Sequence, residues 1–285
     1  MQILTREEAL KKRAELIELG YTSVSGLMEP GLLAELRIWS DDVFQRLPVD
    51  PKLRYQGSDL HVYTERKWAQ MEAAADERRF PDPIVAKVID QPRQMAVCRE
   101  LGLEDLTAHD VIILLSKPAF GPPLYWHQDY MNWNSPASAT PWPTVIFLSY
   151  YMTDTTRANG CLRVIPGSHR RRLDLHDSIP DAHGPEIQSI DDGGNPPAFA
   201  NRDDAVDLPL KAGDLVIADA RLMHGAWPNQ NDRRRTLVLA WHSVFPFPRP
   251  PSWWADEIPD VVAEADPAAA YEGTRTPGAF LRVRR

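Results

Sequence analysis

The sequence predicts a mainly β domain, a sandwich or barrel, entered through a set of helices. Three observations predict it. Short apolar runs rich in β-branched and aromatic residues recur between residues 111 and 241, with turn residues separating them. The first hundred residues instead repeat apolar positions at helical spacing and carry helix start and stop signals. The chain also holds 26 prolines, which break helices and central strands, so many turns and irregular loops are expected.

Thr5-Arg-Glu-Glu8 is a capping-box pattern, with Leu10, Ala14 and Ile17 at helical spacing behind it and Gly20 as the stop. A second helix starts at Pro30, presents Leu33, Leu36, Trp39, Val43 and Leu47 as its apolar stripe, and is ended by Pro48 and Pro51. Residues 65–76 and 83–101 also read as helical. The pattern then changes. Val111–Leu115, ending before Pro118, and Thr144–Met152 read as strands. Asn159-Gly160 is a hairpin signal leading into Cys161–Ile165. Lys211–Asp214 is a turn before the strand Leu215–Ala218, and Thr236–Trp241 is the last clear strand.

Residues 170–207 carry Arg170-Arg171-Arg172, many aspartates, Gly193-Gly194 and Pro196-Pro197, as a functional or disordered loop would. With no internal repeat in evidence, a single domain over 1–285 is expected. Residues 1–105 would be its mostly helical part, 106–245 the β core with the 170–207 insertion, and 246–285 a tail wrapping the surface.

The net charge of -8 argues against general nucleic-acid binding and against anionic membranes. No run of eighteen apolar residues is present, and the N-terminus lacks the apolar stretch of a signal peptide. Only Cys98 and Cys161 occur; they are no disulfide framework, fit a reducing compartment and read as core fillers. A cytoplasmic protein, monomer or homodimer, acting on a small molecule is the expectation.

The chemistry gathers around His127-Gln128-Asp129 and His224. Residues two apart on a strand point to one face, so His127 and Asp129 can grip one ion. Such a triplet arises readily by chance in a chain with 8 histidines. Its setting, Leu124–Trp133, crowds aromatic residues on both sides, as a pocket wall would. His61, His109, His169, His176, His183 and His242 read as structural or solvated. His224 stands apart, because it follows the turn–strand unit Gly213–Asp219 and precedes an arginine cluster. Two imidazoles and a carboxylate suit non-haem Fe(II), with three coordination positions left open.

Two of the three arginines Arg233–Arg235 read as solvated. Arg235 opens a strand on the face of Leu237, Leu239 and Trp241, so it would point into an apolar interior. A buried guanidinium needs a partner, and its planar fork matches a carboxylate.

At these residues the chain resembles the phytanoyl-CoA dioxygenase family of Fe(II)- and 2-oxoglutarate-dependent oxygenases. His127-Gln128-Asp129 with its following aromatics is similar to the family's first ligand motif. Asn159-Gly-Cys-Leu-Arg-Val-Ile-Pro-Gly-Ser-His169 is similar to its hallmark hairpin. His224-Gly-Ala-Trp-Pro-Asn229 with Arg235 resembles its distal block, and Leu19–Leu27 its N-terminal strand entry. These motifs stand in the family's order and span most of residues 5–245.

The resemblance implies a double-stranded β-helix (jelly roll, cupin-like) with N-terminal helices packed outside. It implies His127, Asp129 and His224 as iron ligands and Arg235 as the clamp on the distal carboxylate of 2-oxoglutarate. Many relatives carry a hydroxyl residue two positions after that arginine, where this chain has Leu237. Lys117, at the end of the preceding strand, is a candidate second donor, with a surface lysine as the alternative. Halogenating relatives replace the metal carboxylate by a small residue; Asp129 is present, which favours hydroxylation or another oxidation over halogenation.

The implied reaction consumes O2 and 2-oxoglutarate, releases succinate and CO2, and oxidises an unactivated C–H bond. Tyr130, Trp133 and Trp142 are candidate substrate residues at the mouth. Arg163 either faces the pocket as an anion partner or points outward. Residues 57–80 and 170–207 are candidate lids. Either a coenzyme A thioester or another small molecule remains compatible as substrate, the former with only Arg170-Arg171-Arg172 as a local basic patch. Two other readings use the same sequence: a cupin-like metalloenzyme that does without 2-oxoglutarate, and a non-catalytic jelly-roll binding module.

Overall fold

The computed structural model describes residues 1–48, 59–71, 78–129, 132–179, 196–274 and 276–277. Five of the helices it describes are α1 (Arg6–Leu19), α2 (Pro30–Arg46), α3 (Glu65–Ala69), α4 (Ile84–Ile89) and α5 (Pro92–Glu100). The strands are β1 (Tyr21–Val24), β2 (Asp59–Tyr63), β3 (Arg79–Pro81), β4 (Thr107–Lys117), β5 (Leu124–His127), β6 (Val145–Tyr151), β7 (Leu162–Val164), β8 (Val206–Leu208), β9 (Leu215–Asp219), β10 (His224–Ala226) and β11 (Arg235–Ser243). A large sheet runs β1-β9-β6-β11-β4-β2-β3 and a small one β5-β10-β7-β8. All pairs but β2–β3 are antiparallel. This is the double-stranded β-helix that the resemblance implies.

Strand periodicity sorts the side chains into two cores. Val238 and Ala240 of β11, with Ile112, Leu114, Ile146 and Leu148, face outward under the helices, where Leu16, Leu36 and Val97 cover them. Leu237, Phe147, Tyr151, Val216 and Ala218 face inward and meet Leu162 and Val164 of the small sheet, with Leu239 and Trp241 packed against them. The inner layer is therefore enclosed between two sheets, and it holds the site.

Local signals explain the helical part. Thr5 and Glu8 form the reciprocal capping box of α1, and Gly20 closes that helix in the left-handed region at φ 87°. Pro30 opens α2. The expected helix over 83–101 is two, α4 and α5, because Pro92 cannot continue α4 and instead starts α5. Of the expected helix over 65–76, α3 covers Glu65–Ala69, and 72–77 lie outside the described residues.

Asn159-Gly160 does not join two paired strands. β6 pairs with β9 and β11 in the large sheet, whereas β7 pairs with β10 and β8 in the small one. The turn instead carries the chain from one sheet to the other, with Asn159 bridging to Asn229. Gly160 has φ +85°, and a Cβ there would come within 2.7 Å of the Trp227 carbonyl oxygen, so the crossover needs glycine.

Both cysteines are buried and unpaired, with burial pushing the Cys98 thiol up to about 12 and the Cys161 thiol up to about 11. In the C-terminal segment, the Trp253 indole donates to the Gly102 carbonyl at 2.8 Å, Trp254 meets Trp142 edge-on, and Val262 is buried. No helix of the described residues is long and apolar enough to cross a membrane.

Candidate metal and co-substrate site

Antiparallel pairing brings distant residues together. His224 lies directly opposite His127 on β5 and opposite Val164 on β7. Directly opposed residues share a face, so both imidazoles point to the inner layer, where their ring centroids are 4.1 Å apart. Asp129 lies just beyond β5, and its backbone N–H donates to the Ala220 carbonyl at 2.9 Å. Its carboxylate Oδ1 stands 3.7 Å from His127 Nε2 and 4.0 Å from His224 Nε2. Among the described residues, these three form the one set whose ligand atoms, all within 4.8 Å of one another, could hold a metal ion.

Each imidazole is oriented by its other nitrogen. His127 Nδ1 lies 2.9 Å from the Tyr125 carbonyl and His224 Nδ1 lies 2.9 Å from the Leu222 carbonyl, which turns Nε2 of both rings toward Asp129. The Trp241 indole donates to Asp129 Oδ2 at 3.1 Å, leaving Oδ1 toward the imidazoles. Burial, helped by the neighbouring His224, holds His127 well below the usual imidazole range. That keeps its lone pair available at neutral pH. Burial raises the Asp129 carboxyl, against the opposing pull of His224 and the Trp241 N–H. A carboxylate so desolvated is stabilised by a cation beside it.

Arg235 opens β11 on the same face as Leu237 and Trp241, directly across from Lys117 of β4. It is 3% exposed, and its Nε and Nη1 meet no hydrogen-bond partner among the described residues. Its guanidinium carbon lies 5.6 Å from the centroid of the Tyr151 ring. Burial lowers its pKa and pushes the Tyr151 hydroxyl up to about 12. Unmet guanidinium nitrogens in an apolar wall call for an anionic partner. Lys117 is 6% exposed rather than on the surface, and its Nζ donates to the Pro122 carbonyl at 2.7 Å. Arg233 and Arg234 are exposed, as expected.

The other candidate residues fare differently. Arg163 pairs across from Gly225, one position out of phase with His224, so it points to the outer side of the small sheet. There its guanidinium stacks between Trp126 and Trp227 at 4.4 and 4.0 Å and donates to the Ala200 carbonyl. Trp142 is buried in the outer core against Trp254, away from the inner layer that holds His127 and His224. Trp133 is buried with its backbone N–H on the Thr274 carbonyl. Tyr130 lies outside the described residues, as do 49–58, 72–77 and 180–195 of the two candidate lids and their flanks. Arg172 of the basic triplet is tied to Asp177 and to the Pro277 carbonyl.

Sequence reasoning missed the groups that orient His127, Asp129 and His224. Trp241 could have been found, since it shares the alternation that placed Arg235 inside. Asp219 and Arg221 form a bidentate pair, each 1% exposed, with Nε–Oδ1 at 3.0 Å and Nη2–Oδ2 at 2.6 Å. The same guanidinium donates to the carbonyls of Ser138, Thr140 and Trp142. Nothing local in the sequence marks those contacts.

Comparison with known proteins identifies the family and the fold. The family model for phytanoyl-CoA dioxygenase matches residues 17–237. An ectoine dioxygenase from Nocardia farcinica is 26% identical over 231 residues, 79% of this chain and 74% of that protein. The epimerase SnoN, solved with Fe3+, alpha ketoglutarate and nogalamycin RO, superposes with a TM-score of 0.58 at 20% identity, covering 97% of this chain and 98% of that one. EctD from S. alaskensis with bound Fe gives 0.54 at 19% identity, covering 85% of this chain and 79% of that one.

Proposed function

The chain belongs to the phytanoyl-CoA dioxygenase family, and we propose that it is an iron- and 2-oxoglutarate-dependent dioxygenase that hydroxylates an unactivated C–H bond of a small molecule. One observation carries the site assignment. Two imidazole nitrogens and a carboxylate oxygen converge within 4.8 Å on a wall that also holds a buried guanidinium with two nitrogens unpartnered among the described residues. The donor set fits Fe(II), and the guanidinium fits the far carboxylate of a dicarboxylic acid.

His127, Asp129 and His224 would hold the iron, and Arg235 would hold 2-oxoglutarate, with Lys117 beside it as second donor. When bound there, the iron would supply O2 activation coupled to conversion of 2-oxoglutarate to succinate and CO2. The protein's share is positional. Tyr125 and Leu222 carbonyls fix the imidazoles, Trp241 fixes the carboxylate, and the apolar inner layer keeps water from the reacting centre. The ectoine and nogalamycin named for the similar proteins are small molecules, which supports that substrate class.

Anaerobic titration of the Fe(II) protein with 2-oxoglutarate tests the reading. A weak visible charge-transfer band is expected, absent in His127→Ala, which should lose iron by metal analysis. A metal-loaded protein without the band would favour the cupin-like alternative, and freshly purified protein that takes up no metal would favour a binding module. Succinate release stimulated by a candidate compound would identify the substrate.

A further inference from the structure

The middle residue of the triplet is turned away from the metal. Gln128 is buried, with its amide nitrogen donating to the Arg221 carbonyl and its Oε1 lying 2.7 Å from His176 Nε2. The Arg221 carbonyl can only accept, so the amide nitrogen must face it and the amide oxygen must face His176. His176 Nε2 then carries the proton, and Nδ1 accepts the Leu173 backbone N–H at 2.9 Å. Every member of the chain Leu173–His176–Gln128–Arg221 is thereby assigned one role. Burial holds His176 near pH 4, so the imidazole stays neutral and the network stays intact at neutral pH.

The three segments it joins are the two halves of the metal site and an outside element. Gln128 lies between His127 and Asp129. Arg221 lies three residues before His224 and is itself clamped by Asp219. His176 belongs to the short 3-10 turn Asp174–Asp177. We propose that Gln128 is a positioning residue: its amide sets the spacing between the His127–Asp129 corner and the His224 segment, and His176 holds that amide in the working orientation. The proposal rests on the ligand assignment above and extends it to residues that touch neither metal nor co-substrate.

Co(II), a stand-in for Fe(II) that is stable in air, tests it on the full-length apo protein by titration and by the ligand-field spectrum. Gln128→Ala is expected to weaken Co(II) about 10–100-fold, the usual effect of losing a residue that orients ligands. The bands of the saturated variant should shift. His176→Ala should weaken binding in the same direction, and His176→Gln, whose amide can still donate to Gln128, should recover it. Because the two residues act through one bond, the double variant should bind no more weakly than Gln128→Ala alone.

Folded Gln128→Ala with wild-type affinity and spectrum overturns the proposal, as does strict additivity in the double variant. Should Gln128→Ala fail to fold, the His176→Ala and His176→Gln pair decides: loss without recovery, or no loss, counts against it. Wild-type protein that binds no Co(II) overturns the ligand assignment itself, and this inference with it.

Discussion

Two buried arginines stand at two ends of the same β domain, and they differ in one respect. Arg221 is 1% exposed and is met by the Asp219 carboxylate and by three backbone carbonyls. Arg235 is 3% exposed, and two of its nitrogens meet nothing among the described residues. Burial alone cannot tell them apart. The hydrogen bonds can: a satisfied guanidinium closes the structure on itself, whereas one with open donors can still take an anionic partner.

Arg221→Met should break the comparison most severely. It leaves the Asp219 carboxylate buried and unpaired, which costs about 3–5 kcal/mol. Urea denaturation should show that loss, together with release of the 138–142 loop. Arg235→Leu should do the reverse. Its unfolding midpoint should hold or rise, since a buried guanidinium with two nitrogens unmet among the described residues is removed, while 2-oxoglutarate binding weakens on the order of 100-fold, equivalent to about 2.7 kcal/mol. A large drop in stability in Arg235→Leu would make the two arginines alike.

Acid should separate the two ends further. His169, near Asp219 and Arg221, is held at about 4 in the fold by burial, against an ordinary value of 6.5. Below pH 6.5 the unfolded chain takes a proton that the folded chain refuses, so stability falls as pH drops from about 6.5 toward 4. His176 and His242 are depressed in the same sense. The urea midpoint should therefore decline between pH 7 and pH 5, and His169→Gln should flatten part of that decline. Tyr151, at the other end, is held up at about 12 and does not titrate in this range. The smallest effect is expected from Lys117→Met. With Lys117 opposite Arg235 but donating to Pro122, 2-oxoglutarate affinity should fall by less than about tenfold in a calorimetric titration.

What was legible in the chain follows the range of the interactions. The capping box at Thr5, the stop at Gly20 and the start at Pro30 are local chemistry and stand where expected. So do the strands whose apolar runs are bounded by turns. The inward direction of Arg235 followed from period-two alternation along β11. Alternation alone could not tell which side of β7 faces the inner layer, and its register with His224 turns Arg163 outward. Trp142 failed for a related reason, since an aromatic residue near a ligand motif in sequence can pack in either core. The Asn159-Gly160 signal identified a real turn but not the sheets it connects. The Asp219–Arg221 and Gln128–His176 contacts join segments through single polar atoms, which leave no periodic trace.

The pairing of β5 with β10 sets an order of events. A chain still leaving the ribosome carries His127 and Asp129 long before His224 exists, and β1 emerges first yet waits for β9 to give it a partner. A half-made chain therefore lacks one of the three proposed ligands, and on that assignment iron loading follows synthesis of β10.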